Sequence, residues 1–61
     1  MAVGMNAVEY AAALIEHCEG DYQAARQVLN NSKAYYPRMT QDFADDTLFH
    51  IDMTEELAWL D

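Results

Sequence analysis

With one cysteine and two histidines in sixty-one residues, this chain has no intramolecular disulfide and too few Cys/His ligands for a structural zinc site. A chain so short buries only about 60% of the surface its unfolded form exposes. Folds of this size therefore lean on well-packed helices, on self-association, or on docking to something larger. Hydrophobic residues make up 52% of the sequence, too many for a chain that stays disordered in spite of its charge. The expectation is one small domain over 1–61, with a helical hairpin at 6–36 and an acidic C-terminal segment at 39–61.

The first helix announces itself at both ends. Asn6 and Glu9 stand at the N-cap and N3 positions of a capping box, and Met5 and Tyr10 at the positions of a hydrophobic staple. Val8, Ala11, Ala12, Ile15 and Cys18 recur at three- and four-residue steps and predict the apolar face. Gly20 stands where a left-handed residue closes a helix, which predicts a helix over about 7–19. Asp21 is suited to cap a second helix. Its inward stripe is Tyr22, Ala25, Val28, Leu29 and Ser32, with Gln23, Arg26, Gln27 and Asn30 on the wet side. Pro37 turns Tyr36 away from helical geometry. So short a connection makes the two helices an antiparallel hairpin, and alanines at 11, 12, 24 and 25 allow close approach.

Gly20-Asp21-Tyr22, then Ala25, then Pro37 resembles the second half of a tetratricopeptide repeat, over residues 20–37. The resemblance implies a helical-hairpin interaction module that binds around Tyr22, Tyr35 and Tyr36. The first helix departs from the pattern, with Glu9 and Ala12 at the family's large aromatic and Leu positions.

Beyond Pro37, Thr40 caps a helix from Gln41 that has Asp42 in its first turn, where a negative charge is favoured. Phe43, Thr47, Leu48 and Ile51 give that helix a stripe and predict it over about 41–51. Over 48–53, however, Phe49, Ile51 and Met53 alternate with His50 and Asp52, which is also the pattern of a short strand. A strand there would need a partner strand, and so a dimer or strand addition. Thr54 then caps a last short turn, 55–60. The fold class expected is all-α: a hairpin plus one or two shorter C-terminal helices. Leu48, Ile51 and Leu57 are expected in the core, and Phe49 and Trp59 partly exposed.

Charge is the feature that points toward function. Residues 1–38 hold four acids and all three bases, whereas residues 39–61 hold seven acids and no base. Direct nucleic-acid binding depends on cations that neutralise phosphates, and this distribution argues against it. It suits a partner with a basic surface, met by steered and salt-sensitive association. The plain alternative is an acidic face that only keeps the protein soluble. The candidate contact residues are Asp42, Asp45, Asp46, Phe49, Asp52, Glu55, Glu56 and Trp59, where carboxylates select a basic partner and aromatics supply anchors.

Catalytic groups are not apparent. Adjacent residues on a helix point about 100° apart, so His17 and Cys18 do not form a nucleophile–base pair. Asp42 with Asp45 or Asp46 shares a helix face, but a hard-metal cage needs more oxygens in a set geometry. No phosphate-binding glycine loop is present, and the chain is small for a pocket of several hundred Å³. No enzyme, metal or cofactor is therefore expected. The early sequence holds no basic, apolar leader or span, and Gly4 is not at the myristoylation position, so a cytoplasmic location is expected.

In charge, size and composition the chain is similar to small acidic phage proteins that counter host defence, anti-CRISPR proteins among them. That similarity implies an inhibitor whose carboxylates stand in for phosphates on a nucleic-acid-binding protein. The other readings are the tetratricopeptide-like adaptor and an obligate oligomer, such as a homodimer, joined through the C-terminal apolar residues.

Overall fold

A computed structural model describes residues 5–35 and 39–60, with the backbone alone for 33–35. It contains three helices: α1 (Ala7–His17), α2 (Tyr22–Tyr35) and α3 (Gln41–Trp59). Each helix packs on the other two, and α1 against α3 is the most extensive contact. The helical hairpin expected at 6–36 is thus closed by a third helix that contributes as much packing as either of its own arms.

The predicted helix starts are in place. Glu9 N donates to Asn6 Oδ1 at 2.8 Å, and Asn6 N donates back to Glu9 Oε1 at 3.4 Å, completing the capping box. Ala24 N donates to Asp21 Oδ1 at 3.0 Å, and Phe43 N to Thr40 Oγ1 at 3.1 Å. Each of these bonds satisfies a donor that the first turn of a helix otherwise leaves open.

The end of α1 differs in one respect. Regular helix stops at His17, and Cys18 is the C-cap. Gly20 N donates to Ile15 O at 2.9 Å and Glu19 N to Glu16 O at 3.0 Å, the paired bonds of a Schellman motif. In that motif the first residue past the cap is left-handed, and here it is Glu19, with φ 56°; Gly20 follows at φ 83°. The glycine therefore lies one position beyond the residue that carries the steric penalty.

The core is small. Ala7, Ala11, Leu14, Ala25, Leu29, Ala44 and Ile51 are its buried apolar residues. Only Leu14, Leu29 and Ile51 are large, and the alanines let the helix backbones close around them. Tyr10, Ile15, Cys18, Tyr22, Val28 and Met39 pack at its margin. Tyr10 stacks on Phe43 with ring centroids 5.7 Å apart, tying α1 to the start of α3. The buried Thr47 spends its hydroxyl on Phe43 O at 2.8 Å, so no polar group is stranded there.

Four expectations change. In α1 the buried face is Ala7, Ala11 and Leu14, while Val8 and Ala12 are exposed. That helix is apolar nearly all round, so periodicity alone does not select its inner side. In the C-terminal half the helix predicted over 41–51 forms, and the alternative strand over 48–53 does not; α3 runs on to Trp59, 19 residues without a break, making it the longest element. Thr54 is not a cap, because its hydroxyl bonds back to His50 O at 2.7 Å inside the continuing helix. Leu48 and Leu57 are exposed rather than core, because the inward face of α3 is taken by Ala44, Thr47 and Ile51.

Glu19→Gly is expected to stabilise the protein by roughly 0.5–1 kcal/mol: relief of a left-handed non-glycine residue, less the added freedom of the unfolded chain. A rise in the urea midpoint with an unchanged slope checks this. Ala25→Leu, at a position with 0% exposure, is expected to cost about 1–3 kcal/mol by overpacking, read as a lower midpoint in the same titration.

Candidate interaction surface

Seven of the eight sequence-predicted contact residues are exposed in whole, and all eight lie on α3. At about 100° per residue, Asp42, Asp45, Asp46, Phe49, Asp52 and Glu56 fall within an arc of roughly 120° facing away from the core. Trp59 lies just past one edge of that arc, and Glu55 further round, toward α2. The structure thus gathers most of the predicted set onto one outer face. It does so because Ala44, Thr47 and Ile51 turn the opposite face inward.

The acids on this face are not equivalent. Arg26 of α2 reaches across to α3, where its Nε and Nη2 lie 2.9 and 2.8 Å from Asp52 Oδ1. Its Nη2 also donates to Glu55 Oε1. These hydrogen bonds, to Glu55 first and Asp52 second, raise the pKa of the guanidinium above its already high ordinary value. Arg26, expected on the wet side of α2, is instead the clasp between α2 and α3. It neutralises part of the charge of Asp52 and Glu55 before any partner arrives.

Toward the start of α3 the carboxylates have, among the described side chains, only local contacts. Gln41 Nε2 donates to Asp45 Oδ1 at 2.7 Å, and His50 Nε2 lies 3.7 Å from Asp46 Oδ1. Asp42, Asp45, Asp46 and Glu56 are exposed, and Arg26, the one Lys or Arg whose side chain is described, pairs with Asp52 and Glu55 rather than with them. This is an open negative surface about two turns long, continued by a single acid near the other end.

Between and beyond the acids lies apolar surface that the charge pattern did not reveal. Phe49 is 54% exposed, Trp59 80% and Leu60 81%, and Met53 and Leu57 are also exposed. Among the described residues, the exposed large hydrophobics lie on α3 and its C-cap, apart from Val8. Met53, Leu57 and Leu60 are site candidates that charge-based reading passed over. The signal was present in their four- and three-residue steps from Phe49.

The tyrosine groove implied by the repeat resemblance falls mostly outside the described residues. Tyr22 is half-buried at the core margin, Tyr36 and Pro37 lie outside, and of Tyr35 only the backbone is described. A depression of about 70 Å³ between α2 and α3, lined by Arg26, Leu29, Asn30, Ala44, Asp45 and Leu48, is far smaller than a substrate pocket. Among the described residues no three His, Cys, Asp or Glu side chains converge on a metal position. None of the helices is long and apolar enough to cross a membrane.

No family model, no curated protein and no solved structure matches this chain.

Arg26→Ala is expected to destabilise the fold by about 1–2 kcal/mol, through loss of the clasp and of the packing of its aliphatic stem. A double-mutant cycle with Glu55→Gln, followed by thermal unfolding, is expected to show that the two losses are not additive.

Proposed function

We propose that this chain is a non-enzymatic binding protein that docks the outer face of α3 onto a basic macromolecular partner. In the form we favour, the partner is a nucleic-acid-binding protein and the chain is its inhibitor, in the manner of a phage anti-defence protein. The observation that carries the reading is the outward projection of Asp42, Asp45, Asp46 and Glu56 from one rigid helix, with Arg26 occupied elsewhere. Carboxylates held at helical spacing form a fixed array of negative charge. Such an array steers a cationic surface at long range and competes with phosphates for the same lysines and arginines. Holding the array on a helix lowers the ordering cost of binding. On this reading the protein works in a compartment shared with its target, which for such an inhibitor is the cytoplasm.

The alternative of a tetratricopeptide-like adaptor rests on Ala25, which is fully buried in the core cluster, and on Tyr22 beside it. That packing suits a paired-helix module. However, the family's units stack on neighbouring repeats, and here α3 occupies the faces of both hairpin helices.

The test is affinity capture on immobilised protein at low and at high salt, comparing wild type with a triple variant, Asp42→Asn, Asp45→Asn and Asp46→Asn. These three side chains are exposed, so helicity is expected to be unchanged by circular dichroism. Loss of partner capture by the variant at low salt, and by wild type at high salt, is the expected result. Capture that is indifferent to both changes defeats the proposal.

A further inference from the structure

We infer that the occupant of the outer face is a cationic amphipathic helix, seated along Phe49, Met53, Leu57 and Leu60. The inference rests on the binding reading above and assigns it a partner class and an apolar anchor. The four residues are spaced by four, four and three, which at about 100° per residue confines them to a stripe roughly 80° wide. That is the width of a two-helix seam, and too narrow for the hydrophobic face of a helix buried in a larger core. All four are exposed. A helix that offers apolar side chains at i, i+3, i+4 and i+7 fills such a stripe.

Charge decides between possible occupants. Asp46, Asp52 and Glu56 border the stripe, and residues 39–61 contain no base. A second copy of this chain, with its own net charge of −8, would set Asp52 and Glu56 against Glu56 and Asp52 of an antiparallel copy, or Asp46, in line with the stripe, against Asp46 of a parallel one, and like charges across a seam are destabilising. A helix with Lys or Arg flanking its apolar side chains meets these carboxylates instead. The open acids at the start of α3 then steer the approach, while the apolar stripe slows release.

The sole tryptophan, Trp59, is exposed at the same end of α3, about 80° round the helix from the nearest edge of the stripe, and is a built-in reporter of a partner seated there. The test uses the full chain and a Leu/Lys peptide of about 18 residues, close to the length of α3 at 1.5 Å per residue. Its leucines lie on one helical face, and a control peptide of the same composition has them scattered. Binding is read by anisotropy of the labelled peptide and by Trp59 emission with the unlabelled one. The expected result is at least about tenfold tighter binding of the one-faced peptide, as apolar anchors in a desolvated seam require, with a change in Trp59 emission that the scattered peptide does not produce. The double variant Phe49→Ser and Met53→Ser, and separately Leu57→Ser, is expected to remove that preference, whereas Val8→Ser on α1 leaves it intact.

Equal binding of both peptides at low salt would overturn the seam while leaving the charge-based reading in place. No binding of either peptide at low salt would overturn both. Sedimentation showing a dimer that the Phe49→Ser and Met53→Ser variant dissociates would give the stripe to a second copy and overturn the inference.

Discussion

Three large aliphatic side chains, Leu14, Leu29 and Ile51, are all that the described core can gather at its centre. Full burial of such a side chain contributes about 1.5–3 kcal/mol, so the fold depends on bringing one from each helix to a common point. The buried alanines make this possible. Ala7 and Ala11 on α1, Ala25 on α2 and Ala44 on α3 let the backbones approach, where larger residues would hold the helices apart. Stability so narrowly based leaves little room for anything that weakens a helix end, and each helix opens with a side-chain cap.

The same shortage explains the division of labour along α3. One face supplies Ala44, Thr47 and Ile51 to the core, and a neighbouring edge supplies Asp52 and Glu55 to Arg26. Those contacts hold the helix in position. With Phe43 stacked on Tyr10 at its start, these contacts leave the outer face free to carry large apolar groups and carboxylates, the latter costly to bury in an interior. A protein whose purpose was only to remain soluble would have little reason to hold Phe49, Met53, Leu57, Trp59 and Leu60 in water.

Helix starts were easy to read from sequence because caps are local: Asn6 with Glu9, Asp21 and Thr40 each meet a backbone donor within three residues. The inward stripe of α2 was legible too, since Ala25 and Leu29 contrast with polar neighbours. In α1 the contrast is missing, as alanines surround Leu14, and only the arrival of α3 settles which side is inner. Strand and helix signals competed over 48–53 because charged and apolar residues alternate there; the helix holds because Thr47 and Ile51 must face the core together. The role of Arg26 was beyond sequence reading, since its partners are 26 and 29 residues away. For the outer face, the exposure of Phe49 and Trp59 was foreseeable from their position among acids, whereas that of Leu48 and Leu57 depended on how little of α3 the other helices cover.

The last turns of α3 have a further property. No basic residue stands in its final turn, so the unpaired carbonyls at that end, equivalent to about half a negative charge, sit beside the exposed Glu56 and beside Glu55, whose charge Arg26 offsets only in part. Two sources of negative potential, one from the backbone and one from side chains, therefore add at the same tip instead of cancelling. A positive group approaching that tip gains more than one arriving at mid-helix, which gives the surface a preferred polarity. If the face docks a cationic partner as proposed, that potential would help orient the incoming segment as well as attract it.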